Sequence, residues 1–171
     1  MALAALEQAG RLRAAIPQNF DDFHRQAGSG QVVELHGIFR QATCTACFAV
    51  FSTAQLAERW LESGWIPRCQ ACGWIVKPKV IVFGEEMPHA ACQGAWQWVR
   101  ERDLCRVVGS SLEVKPAASP PFEAVSAGAD LIIINRQPTY LDCRAAQVLQ
   151  EEAAEVLAAL VREVLCDRTP L

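Results

Sequence analysis

Leu131-Ile132-Ile133-Ile134-Asn135 is the stretch on which the fold turns. An unbroken apolar run closed by Asn suits a strand covered on both faces, as in a parallel sheet, whereas a strand with one wet face would alternate. Arg106-Val107-Val108-Gly109 has the same character, and a Pro-rich connection with a helix near 121–127 joins the two. Downstream, Gln147-Val148-Leu149 predicts a further strand. It leads into a helix over 151–165, where Val156, Leu157, Leu160, Val161 and Val164 make one stripe at helical spacing. Upstream, Trp96 and Val99 mark a helix over 89–102. Residues 2–10 predict a short helix with Leu3, Leu6 and Ala9 on one side, ended by Gly10. Arg13-Ala14-Ala15-Ile16, stopped by Pro17, and Gln31-Val32-Val33-Glu34-Leu35-His36-Gly37 are strand candidates. Strands alternating with helices predict an α/β fold.

The stretch 40–80 differs, with paired cysteines, scattered Trp60, Trp65 and Trp74, and no long regular period. It reads as a small module looped out of the α/β body, which then comprises residues 1–39 and 81–171. Cys44-Thr45-Ala46-Cys47 and Cys69-Gln70-Ala71-Cys72 are both C-x-x-C, with residues 48–68 between them. Two thiolates on a tight knuckle grip one ion, and two knuckles complete a tetrahedral tetrathiolate zinc site. The separation slightly exceeds the usual window of about 15–20 residues, as a longer inserted segment would cause. Disulfides or a redox dithiol are the alternatives. Cys92, Cys105, Cys143 and Cys166 have no partner spacing and read as buried small hydrophobes.

The chain has 171 residues, 51% apolar and 20% charged, which is the balance of a folded domain. Its net charge of −3 offers no general attraction for nucleic acid or anionic membrane. The sequence predicts no spanning helix, and the start lacks the basic region and cleavage site of a secretory signal, so a cytoplasmic location is expected.

In open α/β sheets ligands sit at the carboxyl ends of the strands, where amides and helix N-termini face a crevice. Polar or small residues follow four of the predicted strands. These are Gln18, Asn19 and Asp21; His36 and Gly37; Gly109, Ser110 and Ser111; and Asn135 and Arg136. Such a rim suits a ribose and a pyrophosphate, although Gly-Ser-Ser also makes ordinary turns and Gln-Asn-x-Asp also merely solvates a loop.

The order of these motifs resembles the sirtuins, NAD-dependent protein-lysine deacylases. The resemblance is carried by Pro17-Gln18-Asn19-Phe20-Asp21, Glu34-Leu35-His36-Gly37, the thiol knuckles, Val82-Phe83-Gly84-Glu85, Gly109-Ser110-Ser111-Leu112-Glu113-Val114 with Pro116-Ala117-Ala118, and Ile133-Ile134-Asn135. It covers nearly the whole chain, from residue 3 to about 165. It implies a Rossmann-like parallel sheet with an inserted zinc-binding module, and a reaction releasing nicotinamide and an O-acyl-ADP-ribose. His36 is then the general base. Gln18, Asn19 and Asp21 line the nicotinamide and its ribose. Gly109, Ser110 and Ser111 take the phosphate side; Asn135, Arg136 and Gln137 the adenosine ribose; and Ala153 the adenine end. Val82, Phe83, Gly84 and Glu85 pair strand to strand with an acyl-lysine peptide, a docking mode that reads extended shape more than sequence. Cys44, Cys47, Cys69 and Cys72 hold a structural zinc.

Departures from the family pattern are Pro17 for Thr, Asp22 for Gly, Phe23 for Leu and Ser110 for Thr. Asp22 is expected to face solvent rather than a pyrophosphate. A larger departure is that no Gly-Ala-Gly-x-Ser segment, nor the Arg-bearing loop that follows it in the family, occurs in the sequence. The sheet is therefore expected to be incomplete between the Ile16 side and the Val108 side, leaving two strand edges bare. The chain would then be the C-terminal two thirds or so of a sirtuin, or a relic whose missing strand a partner chain supplies. The alternative function is a non-catalytic zinc-bearing binding protein that engages acyl-lysine peptide or part of NAD.

Overall fold

The computed structural model describes residues 1–82 and 84–166. In chain order the elements are helices α1 (Ala2–Gln8) and α2 (Phe23–Gln26), strands β1 (Gly37–Cys44) and β2 (Val50–Ser52), helix α3 (Thr53–Ser63), strand β3 (Val76–Val80), helix α4 (His89–Arg100), strand β4 (Leu104–Val108), helix α5 (Pro120–Ser126), strand β5 (Asp130–Ile134), a 3-10 turn (Asp142–Arg144), strand β6 (Gln147–Leu149) and helix α6 (Ala153–Cys166).

β4, β5 and β6 form a parallel sheet in that order, with Val107 opposite Ile133 and Ile133 opposite Val148. The apolar run behaves as its composition requires. Leu131, Ile133 and Ile134 are buried, and Leu131 and Ile133 share a cluster with Val107, Leu112, Ala118 and Leu141. Burying each Leu or Ile contributes about 1.5–3 kcal/mol. α4 and α5 pack together, with Val99, Ala124 and Ala129 at the contact and Ile16 and Cys105 packed against them. α6 lies against α1, and its predicted stripe Val156, Leu157, Leu160, Val161 and Val164 is half-buried along its length.

β2, β1 and β3 form a second, antiparallel sheet that the sequence did not announce. Its cluster is small: Ala42, Cys44, Cys69 and Val76, with Ala49, Phe51 and Leu56 against them. α3 has no buried residue, and Trp60 and Leu61 stand exposed on it. So little apolar burial means that this part leans on its four sulfurs for order.

Two expected strands are cut short. Residues 13–16 and 31–37 meet only at the parallel bridge Ala15–Val32, held by Ala15 N–H to Gln31 O (2.9 Å) and Val33 N–H to Ala15 O (2.9 Å). Pro17 has no donor with which to extend the first strand. The second ends because the chain turns at Leu35-His36 and a regular strand starts only at Gly37. Gly37 has φ +77°, and a Cβ there would collide with the carbonyl oxygen of Lys79 on β3. That position therefore requires glycine. Among the described residues, β4 pairs with β5 alone.

The expectation that all four unpaired cysteines are buried is corrected. Cys92 and Cys105 are half-buried, but Cys143 in the 3-10 turn and Cys166 at the last residue of α6 are exposed. Burial pushes the Cys105 thiol up to about 11, the state of an inert core thiol.

Candidate active site and metal centre

The sulfurs of Cys44, Cys47, Cys69 and Cys72 all lie within 4.8 Å of one another. Cys44 ends β1, and the turn after it brings the Ala46 and Cys47 amides to 3.4 and 3.5 Å from its sulfur. The second knuckle is a matching turn: Gly73, with φ +75°, donates its N–H to Cys69 O at 2.8 Å, and Cys69 N–H donates to Trp74 O at 2.7 Å. Sulfur separations of 3.4 Å (Cys44–Cys72), 3.6 Å (Cys47–Cys69) and 3.5 Å (Cys47–Cys72) are far from a disulfide bond of about 2.05 Å. They are close to the edge, about 3.8 Å, of a tetrahedron with Zn–S bonds of about 2.3 Å.

The thiols differ in acidity. Amide donation, first from Cys47, pulls the Cys44 thiol down to about 6, and the Cys72 amide likewise lowers Cys69. Cys72 is pushed up to about 12: the Trp74 amide favours its thiolate, but the neighbouring sulfurs, Cys44 foremost, and desolvation outweigh it. Four thiolates this close need a cation between them. The donor set fits zinc, and four sulfurs leave no open position, so the metal would be structural.

The second constellation surrounds His36, which is half-buried in the turn before β1. Its Nδ1 lies 2.8 Å from the carbonyl oxygen of Gln18. A carbonyl can only accept, so in the neutral ring Nδ1 carries the proton and Nε2 keeps its lone pair free. Gln18 in turn donates its side-chain N–H to Ala117 O at 3.3 Å, and Ile81 N–H donates to His36 O at 3.0 Å. Four segments distant in sequence, around residues 18, 36, 81 and 117, are thereby linked in series through Gln18 and His36.

The other predicted site residues fall as follows. Asn19 donates to the Asp21 carboxylate (3.4 Å), which also accepts the Phe23 N–H (3.0 Å), so this loop is braced from within. Gly109, at φ +60°, follows β4 and donates its N–H to Ile134 O at 2.9 Å, which seats it beside the end of β5. Ser110 Oγ accepts the Leu112 N–H at 3.3 Å, and Ser111 is exposed. Asn135 follows β5 and donates its side-chain N–H to Gln137 O at 2.7 Å. The exposed guanidinium of Arg136 pairs with Glu152 at 3.4 Å, just ahead of Ala153, the first residue of α6. Gly109, Ser110 and Ser111 therefore share the carboxyl end of the parallel sheet with Asn135, Arg136 and Gln137, the position where such sheets take ligands. Val82, Gly84 and Glu85 are exposed just beyond β3. Phe83 lies outside the described residues.

Asp22 departs from the expectation of a solvent-facing carboxylate. Its side chain is 11% exposed and its Oδ2 lies 3.3 Å from the Arg40 guanidinium, while Oδ1 is buried without a partner. Its backbone is left-handed, with φ +67°, a conformation that glycine adopts without cost. A cleft of about 410 Å³ adjoins this loop, lined by Phe20, Asp21, Phe23, Gln26, Phe39 and Arg40.

Several contributors were not foreseen. Arg40 neutralises Asp22; the Ala117 carbonyl anchors Gln18; and Glu7 Oε1 accepts the N–H groups of Gly30 (3.0 Å) and Gln31 (2.8 Å), which fixes the approach to the His36 turn. Lys77 pairs with Glu85. No local pattern marks such long-range partners.

The Sir2 family model matches residues 1–116. The chain is 41% identical over 160 residues to NAD-dependent protein deacetylase 1 of Pyrobaculum aerophilum, covering 94% of this chain and 62% of that protein. It is 41% identical over 164 residues to NAD-dependent protein deacylase 2 of Archaeoglobus fulgidus, covering 95% and 64%. The chain thus spans a little under two thirds of the length of these relatives. Among solved structures, one described as "Sir2-p53 peptide-NAD+" superposes with a TM-score of 0.90 at 33% identity, over 96% of this chain and 68% of that one. Another, "Structural Basis for the Mechanism and Regulation of Sir2 Enzymes", gives a TM-score of 0.87 at 40% identity over 99% and 67%. Among the described residues, no helix is long and apolar enough to cross a membrane.

Proposed function

We propose, because this chain belongs to the Sir2 (sirtuin) family, that its residues serve NAD-dependent deacylation of acylated lysine in peptides or proteins. The observation that carries this reading is the bond from His36 Nδ1 to the Gln18 carbonyl. It leaves Nε2 with its lone pair free to act as the base.

NAD, when bound, supplies the activated ribose that the acyl oxygen attacks as nicotinamide leaves. His36 would draw the proton from a ribose hydroxyl. Gln18, Asn19 and Asp21 would hold the nicotinamide end, and Gly109, Ser110 and Ser111 the phosphates. Asn135, Arg136 and Gln137 would hold the adenosine ribose, and Ala153 the adenine. Val82, Phe83, Gly84 and Glu85 would receive the peptide backbone. In this reading residues 1–39 and 81–171 form the nucleotide-binding body, residues 40–80 the zinc-binding module, and the protein acts in the cytoplasm.

The test compares His36→Ala with the unaltered chain. Nicotinamide release from NAD is followed in the presence of acetyl-lysine peptide. His36→Ala is expected to lower turnover by about 10²–10⁴-fold, the weight of a general base. Zinc content and circular dichroism should stay unchanged. Near-normal turnover in that variant refutes the role. A second reading, a non-catalytic zinc-bearing binding protein, is favoured by β4, which has a ladder on one side only among the described residues. Peptide binding without turnover in the unaltered chain would select it.

A further inference from the structure

We propose that Asp22 and Arg40 are positioning residues for the loop that receives the nicotinamide end of NAD, their ion pair fixing the far end of that loop against β1. This rests on the reading of Gln18, Asn19 and Asp21 given above.

The loop is laid along the start of β1 by contacts at alternate residues. Gln18 O meets His36 Nδ1 at 2.8 Å, Phe20 O accepts the Phe39 N–H at 2.8 Å, and Asp22 Oδ2 meets Arg40 Nε at 3.3 Å. The register of β1 against β3 shifts between Ile38 and Ala42, so residues 39–41 leave that ladder. Such an irregularity frees backbone groups and re-aims side chains. Here the freed Phe39 amide and the Arg40 guanidinium both go to the loop. Asn19 and Asp21, the candidate ligand-holding residues, lie between these contacts and bond to each other at 3.4 Å. Asn19 spends one N–H on that bond, which leaves its carbonyl oxygen and its second N–H for a ligand.

The two partners are unequally placed: the Asp22 side chain is 11% exposed and that of Arg40 62%. The guanidinium can be hydrated without the pair, whereas the carboxylate depends on it. Without Arg40, an enclosed carboxylate whose Oδ1 already lacks a partner must turn outward to water, and Asp21 beside it moves with it. Glycine, which the family pattern has at this position, cannot make the pair, so the device belongs to this chain. An ion pair with one exposed member adds little to global stability. Its effect is local: a loop ordered in advance spares NAD the cost of ordering it.

The test titrates the zinc-loaded chain with NAD and, separately, with ADP, which lacks the nicotinamide and its ribose, and follows amide chemical shifts and the exchange protection of the Phe39 amide. Arg40→Gln is expected to weaken NAD binding by about fivefold, to leave ADP binding within about twofold, and to lower protection at Phe39. Asp22→Asn, which tolerates the left-handed backbone as Asp does, should match Arg40→Gln, and the double variant should be no worse than either. Arg40→Lys should bind NAD within about twofold of the unaltered chain, because a single contact asks for charge and not for a fork. Unchanged NAD affinity in Arg40→Gln overturns the inference, and so does an equal loss for ADP, the mark of a merely structural pair. If saturating NAD leaves Gln18, Asn19 and Asp21 unshifted in the unaltered chain, the reading of the loop falls and this inference with it.

Discussion

At His36 the decisive quantity is a proton's address. The carbonyl of Gln18 fixes it on Nδ1, and the other nitrogen becomes the only basic atom of the ring. Replacing Gln18 would leave that carbonyl in place, because it belongs to the backbone, but would cut the side-chain tie to Ala117. Gln18→Ala is thus expected to loosen the loop without reversing the tautomer, which nitrogen-detected NMR of the imidazole would report. Asp22 carries the opposite lesson. A residue in the glycine-favouring region is strained by roughly 1–2 kcal/mol, less for Asp than for most, and here the Arg40 pair partly offsets it. Asp22→Gly is expected to leave stability within about 1 kcal/mol of the unaltered chain in a urea titration, relief of strain cancelling the lost pair. A loss of several kcal/mol would show that the pair matters more than an exposed guanidinium should.

Among the elements, β5 holds the body together and the knuckles hold the small sheet. Ile133 is fully buried in the main cluster, so Ile133→Ala is expected to cost about 2–5 kcal/mol by chemical denaturation. β1, β2 and β3 have only a small cluster beside their sulfurs. Chelating the zinc, or Cys69→Ser, should therefore abolish amide protection in β1–β3 while β4–β6 stay protected; uniform loss would mean that the two parts are one cooperative unit. The 82–85 turn has its own pH dependence. Glu85 has a depressed folded value, so its contribution is present above the ordinary carboxylate value of about 4.3 and fades as pH falls through the lower folded one. The Val82 amide donates to the Glu85 carboxylate. Its protection factor, which is the observed exchange rate referred to that of an unstructured amide at the same pH, should fall on acidification through that range and be flat from about pH 6 to 8.

The parallel strands were legible because burial on both faces writes itself as an unbroken apolar run, and 131–135 and 106–109 both landed on strands. The knuckles were legible because a metal needs its ligands at fixed spacing. The strand expected at 31–37 was not, since Leu35-His36 turns and the regular ladder begins at Gly37 for a reason carried by Lys79, far along the chain. Nor was α3, whose exposed Trp60 and Leu61 give no buried face to read.

Over the whole molecule, two sheets of different kinds meet near one ring. The antiparallel sheet begins immediately after His36, and the parallel sheet sends its Gly109–Ser111 turn onward to Ala117, which holds Gln18. Candidate residues were legible one motif at a time, but their convergence was not, because it depends on backbone carbonyls at 18, 36 and 117 that no sequence pattern displays. The most direct test is a titration of isotopically labelled, zinc-loaded chain with NAD, followed by amide and imidazole chemical shifts. The expected result is a common set of perturbations at Gln18, Asn19, His36, Ser110 and Asn135, with the knuckle cysteines unmoved. Saturating NAD that leaves His36 and Gln18 unperturbed, or moves only residues far from them, would contradict the account.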